Sequence, residues 1–132
     1  MRFVPMLSAA LALSSAGAAS AQTTPAPSPV TVVVAVPSPV GLPRAKIEAG
    51  IRASVPAYRA VPGLLRKYFT VGQTDFGGVY LFSSRSTADA WFNDAWRTRI
   101  VETYGKPAVV TYYDVPVAID NDALPASIQV QP

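Results

Sequence analysis

From Val30 to Val36 the chain reads VTVVVAV, a run of β-branched residues with a proline on either side, which predicts a buried strand. After a Pro/Gly break, Ile47, Ile51 and Val55 recur at every fourth position, which predicts a helix with one buried stripe that starts near Pro43. Pro56 lacks an N–H and crowds the preceding turn, so that helix is expected to end or kink there. Leu64–Val71 and Gly77–Ser83 read as two strands of a hairpin, with Gly72, Gly77 and Gly78 giving the loop its freedom and a place for a bulge.

A second helix is announced by Ser86, an N-cap with Asp89 three places on, and by Ala88, Trp91, Phe92, Ala95 and Trp96 at i, i+3, i+4, i+7 and i+8. Ile100, Val101 and Tyr104 continue it across a weak point at Asn93–Asp94, and Gly105 with Pro107 marks its end. Ala108–Ile119 reads as a last strand in which Pro116 demands an edge or a bulge. No internal repeat is present.

The resulting order, β-α-β-β-α-β, predicts an α+β chain of the ferredoxin-like pattern: a four-stranded antiparallel sheet with two helices on one face. The other face is then uncovered. It is expected to carry Tyr68 or Phe69, Tyr80 with Phe82, and Tyr112 or Tyr113, a larger apolar patch than monomers usually expose. The same face of a second copy is the expected cover, giving a two-fold homodimer with a barrel between its sheets.

The N-terminus adds a compartment. Met1-Arg2, a short apolar run and Ala19-Ser20-Ala21 suit a signal peptide spanning 1–21, cleaved after Ala21. A Pro-rich linker at 22–29, the barrel domain at 30–122 and a tail at 123–132 would follow. With no cysteine to carry a lipid anchor or a disulfide, the exported chain is expected in the periplasm or outside the cell, free of the membrane. A net charge of +3, with no basic run longer than Arg66-Lys67, argues against nucleic-acid binding.

The chain contains neither histidine nor cysteine. That excludes Ser-His-Asp and Cys-His nucleophile systems and removes the usual ligands of zinc and haem. The glycines match no phosphate-binding loop, and Asp120-Asn121-Asp122 lacks the rest of a calcium loop. No metal and no cofactor are expected, and no catalytic residue is assigned. The remaining candidates are aromatic and basic: Arg66, Tyr68, Tyr80, Phe82, Trp96, Tyr112 and Arg59 as a substrate-binding set.

Trp91 and Trp96 suit core packing, with Trp96 placed late enough to reach a cavity mouth. Tyr58-Arg59 fits a pocket rim or a helix end. Strand alternation sends Arg66 and Lys67 to opposite faces. Arg66 is expected inside the barrel with Tyr68, and Lys67 on the helix side near the rim, where its ammonium reaches water.

The segments YRAVPGLLRKYF (58–69), GGVYLFSSRSTADAWF (77–92) and VTYYDVPVAIDN (110–121) resemble the YdhR-type monooxygenase family of the dimeric α+β barrel superfamily, over roughly Leu42 to Asn121. The resemblance implies the fold already read from the element order. It also implies oxygenation of a small phenolic or aromatic substrate without metal or flavin, since an electron-rich phenolate can reduce oxygen itself. The alternative is a non-catalytic dimeric module that holds a small apolar or aromatic ligand; a third possibility is a barrel packed solid.

Overall fold

The structure, a computed structural model, describes residues 24–130; the expected signal peptide and its cleavage site lie outside the described residues. Residues 24–29 have no regular structure, and 24–28 are exposed. Seven elements follow: β1 (Val30–Pro37), α1 (Arg44–Arg59), β2 (Leu64–Val71), β3 (Asp75–Phe82), α2 (Arg85–Trp91), α3 (Asp94–Tyr104) and β4 (Val109–Asp114). The strands pair antiparallel in the order β2-β3-β1-β4, the ferredoxin-like arrangement. The core lies between the sheet and the helices. Alternate residues of β1 (Val30, Val32, Val34, Val36) meet Tyr80, Phe82, Ala88, Phe92 and Trp96 there.

Directly opposed residues of antiparallel strands share a face, so the register assigns the two sides of the sheet. Lys67 pairs with Tyr80, and Val32 pairs with both Tyr80 and Tyr112; this is the helix side. Tyr68 pairs with Val79, and Thr31 pairs with Leu81 and Tyr113; this is the open side. The expectation that Tyr80, Phe82 and Tyr112 line the uncovered face is therefore corrected. Tyr68 and Tyr113 are on that face as foreseen, but Tyr80 and Phe82 alternate with Val79 and Leu81, and it is the latter pair that faces outward.

A bulge decides the phase. β2 contains one extra residue relative to β3 between Leu64, opposite Phe82, and Arg66, opposite Leu81. Without it, Arg66 would stand opposite Tyr80 in the core. The bulge at Leu65 sends Arg66 outward and Lys67 inward. It lies at this end of β2 and not at the glycines. Gly77 and Gly78 are in β3 itself, and the hairpin turns at Gly72–Thr74. A Cβ on Gly77 would run into the Val34 carbonyl of the neighbouring strand, and one on Gly78 would stand 2.8 Å from the Tyr68 carbonyl and 3.0 Å from Lys67 Cε. These glycines permit close approach.

The helices depart from expectation in three places. α1 continues through Pro56 to Arg59. The proline forfeits one backbone bond, but Tyr58 beyond it is packed against Phe69, Tyr80 and Trp91, and that burial outweighs the loss. The cap of the next helix is Ser84, whose Oγ accepts from the Thr87 N–H at 3.2 Å, so the cap lies two residues before Ser86 and the helix starts at Arg85. The weak point at Asn93 is a full break: Asn93 Oδ1 accepts from the Trp96 N–H at 2.9 Å and starts α3. β4 stops at Asp114, ahead of Pro116, and the chain beyond it is exposed.

Candidate functional site

Two cavities flank β2. A cleft of about 210 Å³ lies between α1, α3 and the helix side of the sheet, lined among others by Tyr58, Lys67, Phe69, Tyr80, Trp96 and Tyr104. A wider groove of about 680 Å³ runs between α1, β2 and the tail residues Leu124 and 127–130. Tyr58, Lys67 and Phe69 border both.

The cleft is built around one amine. Lys67 Nζ lies 3.0 Å from the centre of the Tyr58 ring, 3.8 Å from that of Phe69 and 4.4 Å from that of Tyr80. Each neighbour is placed by its element: Phe69 by alternation on β2, Tyr80 by its register opposite Lys67, and Tyr58 by the last turn of α1 beyond Pro56. Gly78, with no side chain, leaves room for the lysine stem. Trp96 is fixed across the cleft by the Asn93 cap and packs edge-on against Phe92 at 4.9 Å.

No carboxylate lies within ion-pairing distance of this amine among the described residues. Burial without a counter-charge penalises the ammonium and pulls Lys67 down to about 6. The ring faces attract a cation and recover part of that penalty. Burial raises Tyr58 and Tyr80 above the ordinary tyrosine value, so both stay neutral phenols; the hydrogen bond between them eases the ionisation of Tyr58 and opposes that of Tyr80. The result is an apolar cleft with an amine that is largely unprotonated at neutral pH. Such a group can accept a proton or attack an electrophile.

The seven expected site residues do not converge. Tyr80 and Trp96 line the cleft. Phe82, 0% exposed, borders neither cavity and is a core residue stacked on Tyr80. Tyr112 is on the helix side but on β4, three strand spacings or roughly 14 Å from β2; it packs under the Arg85 guanidinium at 3.9 Å. Arg66 and Tyr68 are exposed beside the wider groove, where Arg66 Nη1 binds Asp120 Oδ1 at 2.6 Å. Arg59 borders the same groove and donates to the Val130 carbonyl at 3.0 Å. Lys67 is on the helix side, as expected, but its amine is packed among rings and does not project to the rim. The signal for it lies in the sequence: a lysine alternating with Phe69 and Val71 on an otherwise apolar face.

No family model matches the chain, and no curated protein matches it. Solved structures do. A candidate antibiotic-biosynthesis monooxygenase from Bordetella bronchiseptica superposes with a TM-score of 0.53 at 14% identity, over 68% of this chain and 99% of that one. The ActVA-Orf6 monooxygenase of Streptomyces coelicolor, solved with nanaomycin D, gives 0.50 at 17%, over 75% and 96%. The haem-degrading protein Rv3592 of Mycobacterium tuberculosis gives 0.51 at 18%, over 72% and 99%. At these identities the likeness establishes a shared fold. Chains described as monooxygenases and as haem-degrading are thus built on the same ferredoxin-like frame.

Proposed function

We propose that the cleft binds a small electron-rich phenol and that Lys67 takes its proton, so that the bound phenolate is oxidised by molecular oxygen. The observation that carries this reading is the desolvated amine enclosed by three aromatic faces. The fold shared with the Bordetella and Streptomyces proteins supports it, as does the resemblance to the YdhR-type family. In the balanced reaction the phenol O–H proton passes to Nζ, and the phenolate gives one electron to oxygen. Recombination forms a C–O bond at a ring carbon that bears hydrogen. Cleavage of the O–O bond with loss of that ring hydrogen leaves a quinone and one water. One oxygen atom enters the product and the other enters water; the lysine returns its proton. The new ammonium lies beside the developing anion in a poorly hydrated site, where its charge counts for most.

The cleft volume is below the range usual for drug-sized ligands, which begins at roughly 300 Å³, so a one- or two-ring phenol suits it best. The test is oxygen uptake over a panel of hydroxynaphthalenes and larger dihydroxyarenes. Wild type should consume one oxygen per quinone formed, with activity falling as the pH drops through about 6, where the amine becomes protonated and can no longer accept a proton. Lys67→Met should abolish uptake, and Arg66→Gln, on the opposite face, should leave it intact. A protein that binds these phenols but consumes no oxygen is the non-catalytic module instead.

The same reading includes a homodimer through the open sheet face and an exported chain. Val33, Tyr68, Val109 and Tyr113 are exposed on that face beside Val79 and Leu81, and a second copy would cover them.

A further inference from the structure

We infer that Lys67 is also a carbonyl-capturing nucleophile, which holds small aromatic or apolar aldehydes in the cleft as a reversible imine. Three features of the geometry point to it. Nζ is held against the faces of Tyr58, Phe69 and Tyr80, with no carboxylate partner among the described residues to keep it as an ammonium. It borders a cleft whose walls are mostly apolar or aromatic, including Trp96 and Ile100, with Ser54 and the mouth residue Lys46 as the other polar side chains apart from the tyrosine hydroxyls, so an aldehyde with an apolar body is concentrated where the amine is. The wider groove reaches the same amine from the other side, giving the carbonyl and the departing water a route that does not cross the core.

The step balances without a further reactant. The Nζ lone pair attacks the carbonyl carbon, and the carbonyl π pair moves to oxygen. A proton passes from nitrogen to that oxygen. The carbinolamine then expels water as the C=N bond forms, and hydrolysis reverses the sequence. Desolvation favours both stages, because the amine arrives unprotonated and the imine meets little water. Neither oxygen nor a phenol takes part, so the imine stands or falls separately from the oxidation proposed above.

The three lysines of the chain supply their own controls: Lys46 is exposed at the cleft mouth, and Lys106 is exposed away from it. Purified protein is incubated anaerobically at pH 7 with benzaldehyde and sodium cyanoborohydride, which reduces the imine to a stable secondary amine. Intact mass and peptide mapping then locate and time the adduct. An ordinary exposed lysine is unprotonated in only about one molecule in a thousand at this pH, so Lys67 should be labelled at least ~10-fold faster than Lys106. Among the lysines, the Lys67 adduct should precede the others, with the α-amino adduct counted apart by peptide mapping, and Lys67→Met should lose that fast lysine phase while the slow background remains. Glyoxylate, a charged aldehyde, should show no preference for Lys67. Labelling of the three lysines at similar rates, or a fast lysine phase that survives in Lys67→Met, overturns the proposal. Equal preference for glyoxylate overturns the assigned ligand class.

Discussion

Lys67→Met should fold to a more stable protein than the wild type at pH 7. The wild-type chain must strip a proton and a hydration shell from this amine to bury it. With its value drawn from 10.5 to about 6, that costs at most on the order of 5 kcal/mol at neutral pH. The ring faces and the partial exposure of the side chain return some of this, which leaves a gain of about 2 kcal/mol for methionine, an unbranched side chain that fills the same channel. For a domain of this size that corresponds to roughly 10 °C in melting temperature.

The pH dependence has a definite sign. The folded-state value is depressed, so the unfolded chain binds more protons between about 6 and 10.5, and wild-type stability rises with pH across that window. Below about 6 the amine is protonated in both states, so the cost of burying it stands at its full value and changes no further. The advantage of Lys67→Met should therefore shrink as pH rises from 7 towards 10. The titratable groups lining the cleft are Tyr58, Tyr80 and Tyr104, with Lys46 at its mouth, and all are retained in the variant. Denaturant melts of both proteins at several pH values decide this. A variant less stable than wild type at pH 7 would mean that the rings hold an ammonium and that the amine is not poised as described.

The second large effect separates the two faces of the sheet. Phe82→Ala should cost about 3–5 kcal/mol, because its ring is fully enclosed by Tyr80, Phe92 and the β1 valines and its removal leaves a cavity. Tyr113 is 54% exposed on the open face. Tyr113→Arg should leave the fold of one chain intact but place a charge where a second copy is expected to dock. By light scattering, wild type and Phe82→Ala, where folded, should give twice the chain mass, and Tyr113→Arg should give a single chain. A monomeric wild type would remove the dimer from the functional reading. A Phe82→Ala variant as stable as wild type would contradict the face assignment.

Much of the frame was legible in the chain. Valine-rich β1, the hairpin, the helical spacing that carries Trp91 and Trp96 into α2 and α3, and the break permitted at Asn93 each carry a local signal that tertiary structure did not override. Pro56 misled because propensity was outweighed by the packing of Tyr58 beyond it. Gly77 and Gly78 look like loop residues because a glycine needed for turning and one needed for close approach look alike in sequence.

The candidate site was less legible for a single reason. Alternation correctly separates Arg66 from Lys67 and puts Tyr68 with Arg66. It cannot say whether Tyr80 or Val79 faces Lys67, since that depends on a cross-strand register and on the extra residue at Leu65. With the register unknown, the sequence alone puts Tyr80 on the open face with Arg66 and Tyr68, and places the Lys67 amine at the rim of the helix side.

The central claim, that Lys67 presents a desolvated amine to the cleft, is tested most directly by following its side-chain nitrogen by NMR from pH 4 to 11 in protein labelled at lysine. The expected result is one lysine titrating near pH 6, assigned to Lys67 by its loss in Lys67→Met. A Lys67 resonance that stays protonated up to the ordinary lysine range would contradict the account.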